Sequence, residues 1–165
     1  TATNDRSCTN IDPRQNCRSA RDDAPGLLFL RMGTWDTGIY DNDDAADWSA
    51  EVLARGLEAV EQAIDAVVDA DYIESLDGAC ALAAADVVAR LVSGRGVDSP
   101  YCEDIVTWVA AHREPPSPAL VAKAARAVER VGGEDSELAG LWSDNDDDVG
   151  AWRATLDDVR QRLSA

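Results

Sequence analysis

The sequence is poor in the residues that most chemistry needs. Among 165 residues there is one His, one Met, one Phe and a single Lys, Lys123. Lys plus Arg number 15 against 32 Asp plus Glu, a formal net charge of −17. So few bases exclude a generic nucleic-acid binder, which needs a basic stripe to neutralise phosphates. An anionic membrane surface would repel the chain for the same reason. No apolar run approaches the roughly 20 residues of a spanning helix, so the chain reads as soluble, with no membrane partner. One His and no Cys-x-x-Cys leave histidine triads and ordinary zinc sites without raw material, and no cofactor is expected. The cysteines Cys8, Cys17, Cys80 and Cys102 occur without an export signal, which points to a reducing cytoplasm.

What is present reads as helix. Ala occurs 28 times while aromatics make up 5%, and Ala gives up no side-chain entropy in a helix. Apolar residues reach 45%, and a chain of about this length buries roughly 68–70% of its unfolded surface as one domain. Trp48, Val52, Leu53, Leu57, Val60, Ile64 and Val67 recur at helical spacing and predict one long helix, with Glu51, Arg55, Glu58, Gln62 and Asp65 opposite. A second helix groups Leu76, Cys80, Ala84, Val87 and Leu91 and stops at Ser93-Gly94-Arg95-Gly96. A third carries Ile105, Trp108, Val109 and His112 and ends before Pro115-Pro116. Ser117 and Pro118 start a fourth, bearing Leu120, Ala124, Ala127, Val128 and Val131. A short helix follows with Leu138, Leu141 and Trp142, and Val149, Trp152, Leu156, Val159 and Leu163 mark the last. No segment alternates as a strand does. The expectation is an all-α protein, a single compact bundle of five or six helices over residues 32–165.

Residues 1–31 show no period and carry four acids and five Arg, so the acidity belongs to residues 32–165. Met32 is the only methionine and the periodic pattern begins after it. Residues 1–31 are therefore expected to be a disordered or non-native extension, with the natural start at Met32. Low Lys with high Asp also suits a GC-rich genome or a salt-adapted proteome.

The stretch Met32-Gly33-Thr34-Trp35-Asp36-Thr37-Gly38-Ile39-Tyr40-Asp41-Asn42-Asp43-Asp44-Ala45-Ala46-Asp47-Trp48 resembles the opening of a bacterial family called domain of unknown function 4259. Members begin close to MGTWGxGxFxNDDAxDW; here Asp36 stands where Gly is usual and Tyr40 where Phe is common. The likeness continues through the Ala-rich run Ala81 to Ala89 and returns at Ser136-Glu137-Leu138-Ala139-Gly140-Leu141-Trp142 and at Trp152. The resemblance implies a small bacterial domain and attaches no activity to it.

Backbone geometry supplies one reading of that opening. Gly33 and Gly38 permit positive φ, so a tight, compact loop that folds back on the first helix is expected. Asn42, Asp43 or Asp44 would accept hydrogen bonds from the first helical N–H groups, Asp44 and Asp47 would form a shortened capping box, and Trp48 would face the core with Trp35 against it. The functional reading makes Trp35, Asp41, Asn42, Asp43, Asp44 and Trp48 a binding surface with tryptophan as anchor. A second acidic cluster, Asp144, Asp146 and Asp148, is the candidate metal site. Its acids fit the first positions of a calcium loop, but Val149 and Thr155 stand where Gly and Glu are needed. A loop begun at Asp41 fails earlier, at Ala45. The two clusters, each followed by a tryptophan, read as similar helix caps. His112, near the C-terminus of its helix, is expected as a partly buried imidazole or a dipole-paired cation, Cys80 as an inert core thiol, and Cys102 as a thiol near a helix start where thiolate is favoured. No catalytic residue stands out. The expected function is a non-enzymatic, acidic, cytoplasmic protein-interaction module, immunity- or inhibitor-like, binding a basic partner protein. The alternative is a metal-dependent hydrolase or cation-binding protein using Asp41 to Asp44 or Asp144 to Asp148.

Overall fold

The computed structural model describes residues 36–144 and 148–165. The expected extension 1–31, the candidate Trp35 and the candidate Asp146 lie outside the described residues, as do Met32 and Gly33. The described chain forms seven α-helices: α1 Asp43–Arg55, α2 Leu57–Val68, α3 Ser75–Ser93, α4 Glu103–Ala111, α5 Pro118–Val131, α6 Glu137–Ser143 and α7 Val149–Leu163. A 3-10 turn, Pro100–Cys102, precedes α4. No described helix is long and apolar enough to cross a membrane.

The all-α bundle follows the apolar periodicity, and the seventh helix comes from Gly56. The pattern from Trp48 to Val67 predicts one helix, but Gly56 adopts φ 63° and ψ −139° and divides it into α1 and α2. That conformation is open to glycine and strained for residues with a Cβ. The surface row bridges the break: Arg55 donates to Glu51, Glu58 and Gln62 at 3.4, 3.0 and 2.8 Å. The change of direction leaves Leu53, expected on the buried face, 48% exposed. Later boundaries match their signals. Gly94 (φ 68°) terminates α3, and the Ser117 hydroxyl accepts from Leu120 N at 3.2 Å with Pro118 in the first turn of α5.

Helix α3 is the axis of the bundle. It packs against α1, α2, α4, α5, α6 and α7, and every residue from Ala81 to Arg90 is buried. Five of those ten are alanines, namely Ala81, Ala83, Ala84, Ala85 and Ala89. Small side chains on all sides let six helices approach one, and burial replaces the single apolar stripe of a surface helix. Its N-terminus is finished from a distant segment. Ile73 N donates to Asp135 O at 2.8 Å and Glu137 N donates to Ile73 O at 2.9 Å, a short parallel bridge. Ser75 N then donates to the Glu137 carboxylate at 2.8 Å, so an acid of α6 caps α3.

Candidate functional site

The opening motif is built as a cap and an anchor. Asn42 is the N-cap of α1: its Oδ1 accepts from Ala45 N at 2.7 Å and its Nδ2 donates to Ile39 O at 3.0 Å. Both polar ends of this buried carboxamide are thereby used. The expected capping box of Asp44 and Asp47 does not form, because Asn42 holds the cap place and α1 already begins at Asp43. Gly38 does not use the positive φ open to it; among the described residues only Gly56 and Gly94 do. Its use is steric: a Cβ there would fall 2.1 Å from Asp41 Oδ2. Burial and the neighbouring Asp36 push the Asp41 carboxyl above its ordinary pKa. Trp48 is half-buried against the core, as expected, and Asp43 and Asp47 face solvent.

Acidic charge is unevenly distributed over the bundle. From Asp36 to Ala89 there are fourteen acids and one base, Arg55. On α2 part of that charge is answered by α5, where Lys123 Nζ lies 2.7 Å from Asp65 and Arg126 lies 3.5 Å from Asp69. On α1, Asp43 and Asp47 lie one turn apart on the same face, and among the described residues neither has an ion-pair partner.

The second acidic cluster is described only at its ends. Asp144 is the C-cap of α6 and Asp148 stands at the N-cap of α7, while residues 145–147, which carry the expected likeness between the two clusters as helix caps, lie outside the described residues. Among the described residues no group of three or more His, Cys, Asp or Glu is placed to hold a metal ion. His112 stands at the C-terminal cap of α4, as expected, but is exposed rather than partly buried; its ring stacks on Trp108 with centroids 4.2 Å apart, and Nδ1 lies 2.8 Å from Trp108 O. Cys80 is half-buried beside the core. Cys102 stands at the start of α4, as expected, and is buried, with its thiol donating to the carbonyls of Ser99 and Val97 at 3.2 and 3.5 Å.

The most concentrated chemistry lies elsewhere, beneath the motif. Asp86, fully buried on α3, receives Arg90 Nε at 2.6 Å and the Tyr40 hydroxyl at 2.9 Å on the same oxygen, Oδ2. Arg162 Nη1 of α7 stands 2.7 Å from the other oxygen, Oδ1, an ion pair whose angle is not that of a hydrogen bond. Arg162 Nε also meets Asp158 at 2.8 Å, while its Nη2 is buried with no hydrogen-bond partner among the described residues. Arg90 Nη2 donates to Val97 O at 2.6 Å and lies 3.6 Å from Cys102 Sγ. Burial and the Asp86 charge hold the Tyr40 phenol well above its ordinary pKa. With Asp86 fully buried, the network joins the opening loop, α3 and α7. Sequence reasoning missed it. One signal was present: Asp86 and Arg90, four apart, are the only charges between Gly78 and Val92. Arg162 shows a local signal only toward Asp158, four residues before it; nothing in the spacing points to Asp86, which is remote in the chain.

Comparison with known proteins adds one match. A family model described as Domain of unknown function (DUF4259) matches residues 33–155, from the opening motif into α7. No curated protein and no solved structure matches the chain.

Proposed function

The chain belongs to the family described as Domain of unknown function (DUF4259), and from that premise we propose that it is a non-enzymatic interaction module that binds a basic partner protein in the cytoplasm. The observation that carries this reading is the stretch of fourteen acids against one base between Asp36 and Ala89, with the exposed Asp43 and Asp47 of α1 unanswered by any described base. Complementary charge speeds encounter and selects against wrong partners. Asp41, Asp43 and Asp44 supply the charge, Trp48 and the preceding Trp35 the apolar contact, and Asn42 holds the helix start that presents them. The immobilised protein, exposed at low salt to lysate of its source organism, should retain a discrete basic protein and release it as salt rises. The double variant Asp43→Asn/Asp47→Asn should lose that retention while keeping its helical content and cooperative unfolding. Absence of any specific protein, or retention indifferent to both salt and the variant, would overturn the reading.

A further inference from the structure

The C-terminal ends of α3 and α4 border a groove of about 500 Å³ whose charged lining residues are all arginine: Arg90, Arg95 and Arg113. In a chain with 32 acids and 15 bases a surface depression should by composition be lined by acid. The obvious structural use of these arginines is to offset the negative ends of the two helices, and Arg113 Nε does donate to Ala110 O at 3.2 Å. Magnitudes show that this use is not enough. Two helix C-termini bring about half a negative charge each. Against them stand Arg90, Arg95, Arg113 and, behind the groove, Arg162, whose Nη1 reaches Arg95 O at 3.3 Å. Among the described residues the acids paired with this group are Asp86 and Asp158. The balance is about one uncompensated positive charge.

The rest of the lining is largely apolar, with Leu91, Val106 and Val109 among it. Arg90 is buried and held by Asp86, and its position depends on Gly96, where a Cβ would fall 2.1 Å from the Arg90 guanidinium carbon. Arg95 and Arg113 are exposed and able to turn toward a ligand. The volume lies within the range of small-molecule sites, about 300–1,000 Å³, and such sites combine apolar walls with a few converging polar groups. Guanidinium groups match a carboxylate in a two-pronged geometry, and a single surplus charge suits a monoanion. We propose that this groove binds a small aliphatic carboxylate, its anionic head between Arg95 and Arg113 and its hydrocarbon body on Leu91, Val106 and Val109.

Calorimetric titration of the full chain with octanoate, n-octanol and inorganic phosphate tests the assignment. Octanoate should bind at least tenfold tighter than octanol and than phosphate. The double variant Arg95→Gln/Arg113→Gln should weaken octanoate at least tenfold and leave octanol unchanged, with an unaltered unfolding midpoint as the check on folding. Failure of octanoate to bind, equal affinity for octanol, equal affinity for phosphate, or undiminished octanoate binding by the variant would each overturn it. Should the variant not fold, the ranking of the three probes on the unaltered protein still decides.

Discussion

Asp86 carries two guanidinium groups and a phenol in a place that water does not reach. Buried charges of this kind are costly to create and still more costly to unbalance. Removing one partner typically destabilises by about 3–5 kcal/mol, whereas replacing all partners with apolar residues of similar size is often neutral or stabilising by about 1–4 kcal/mol. Asp86→Ala should therefore lower stability by about 3–5 kcal/mol in urea denaturation, much of the roughly 5–15 kcal/mol a domain possesses. The triple replacement Asp86→Leu/Arg90→Met/Arg162→Leu should recover most of the loss. Tyr40 gives a pH test of the same network. Its phenol pKa is raised by burial and by the Asp86 charge, so the fold favours the neutral form. The stabilisation from this group is complete below the ordinary tyrosine range, and it is lost as pH rises from about 10 toward the raised value. Tyr40→Phe should cost about 1.5–3 kcal/mol at neutral pH, the usual worth of a hydrogen bond to a charged group. It should also flatten the alkaline decline, which stability measurements across that range will show. The substitution restores the residue common in the sequences this opening resembles, so the bundle should survive it.

At the scale of elements, Gly56 is the position where a periodic pattern and a backbone break coincide. Gly56→Ala places a Cβ in a conformation that costs about 1–3 kcal/mol, and 3.4 Å from Trp108 Cζ2. Thermal unfolding should show the corresponding fall in midpoint, with helical content nearly unchanged. Helix starts and stops were legible wherever a local rule decides them: Ser117-Pro118, Gly94 and the Pro115-Pro116 pair all act as their chemistry predicts. The break at Gly56 was not, because the apolar spacing continues across it and only the backbone angle differs. Caps formed within one element were partly legible, as at Asn42. The cap of α3 was not, since its acceptor is Glu137 from another helix. The same distinction governs the candidate sites. The acidic start of α1 could be found by reading along the chain. Of the Asp86 network the spacing offers only the Asp86–Arg90 pair within α3; its links to Tyr40 and Arg162, and the arginine groove, arise from contacts between elements that no spacing encodes.

The whole molecule carries its charge asymmetrically, with most of the excess acid between Asp36 and Ala89. Unanswered like charge opposes the compact state and is screened over about 8 Å at physiological ionic strength. The unfolding midpoint should therefore rise with added sodium chloride over the sub-molar range. Asp43→Asn/Asp47→Asn should raise it at low salt and reduce its salt dependence, which separates this general repulsion from any loss of partner binding. The placement of α3 has a different consequence, for how such a sequence can change over time. An outer helix can exchange residues on its solvent face one at a time. Between Ala81 and Arg90 there is no solvent face, and each added methylene must be accommodated by several of six neighbours at once. Drift should accordingly run freely over the outer helices and stall along α3, where change has to come as coordinated sets.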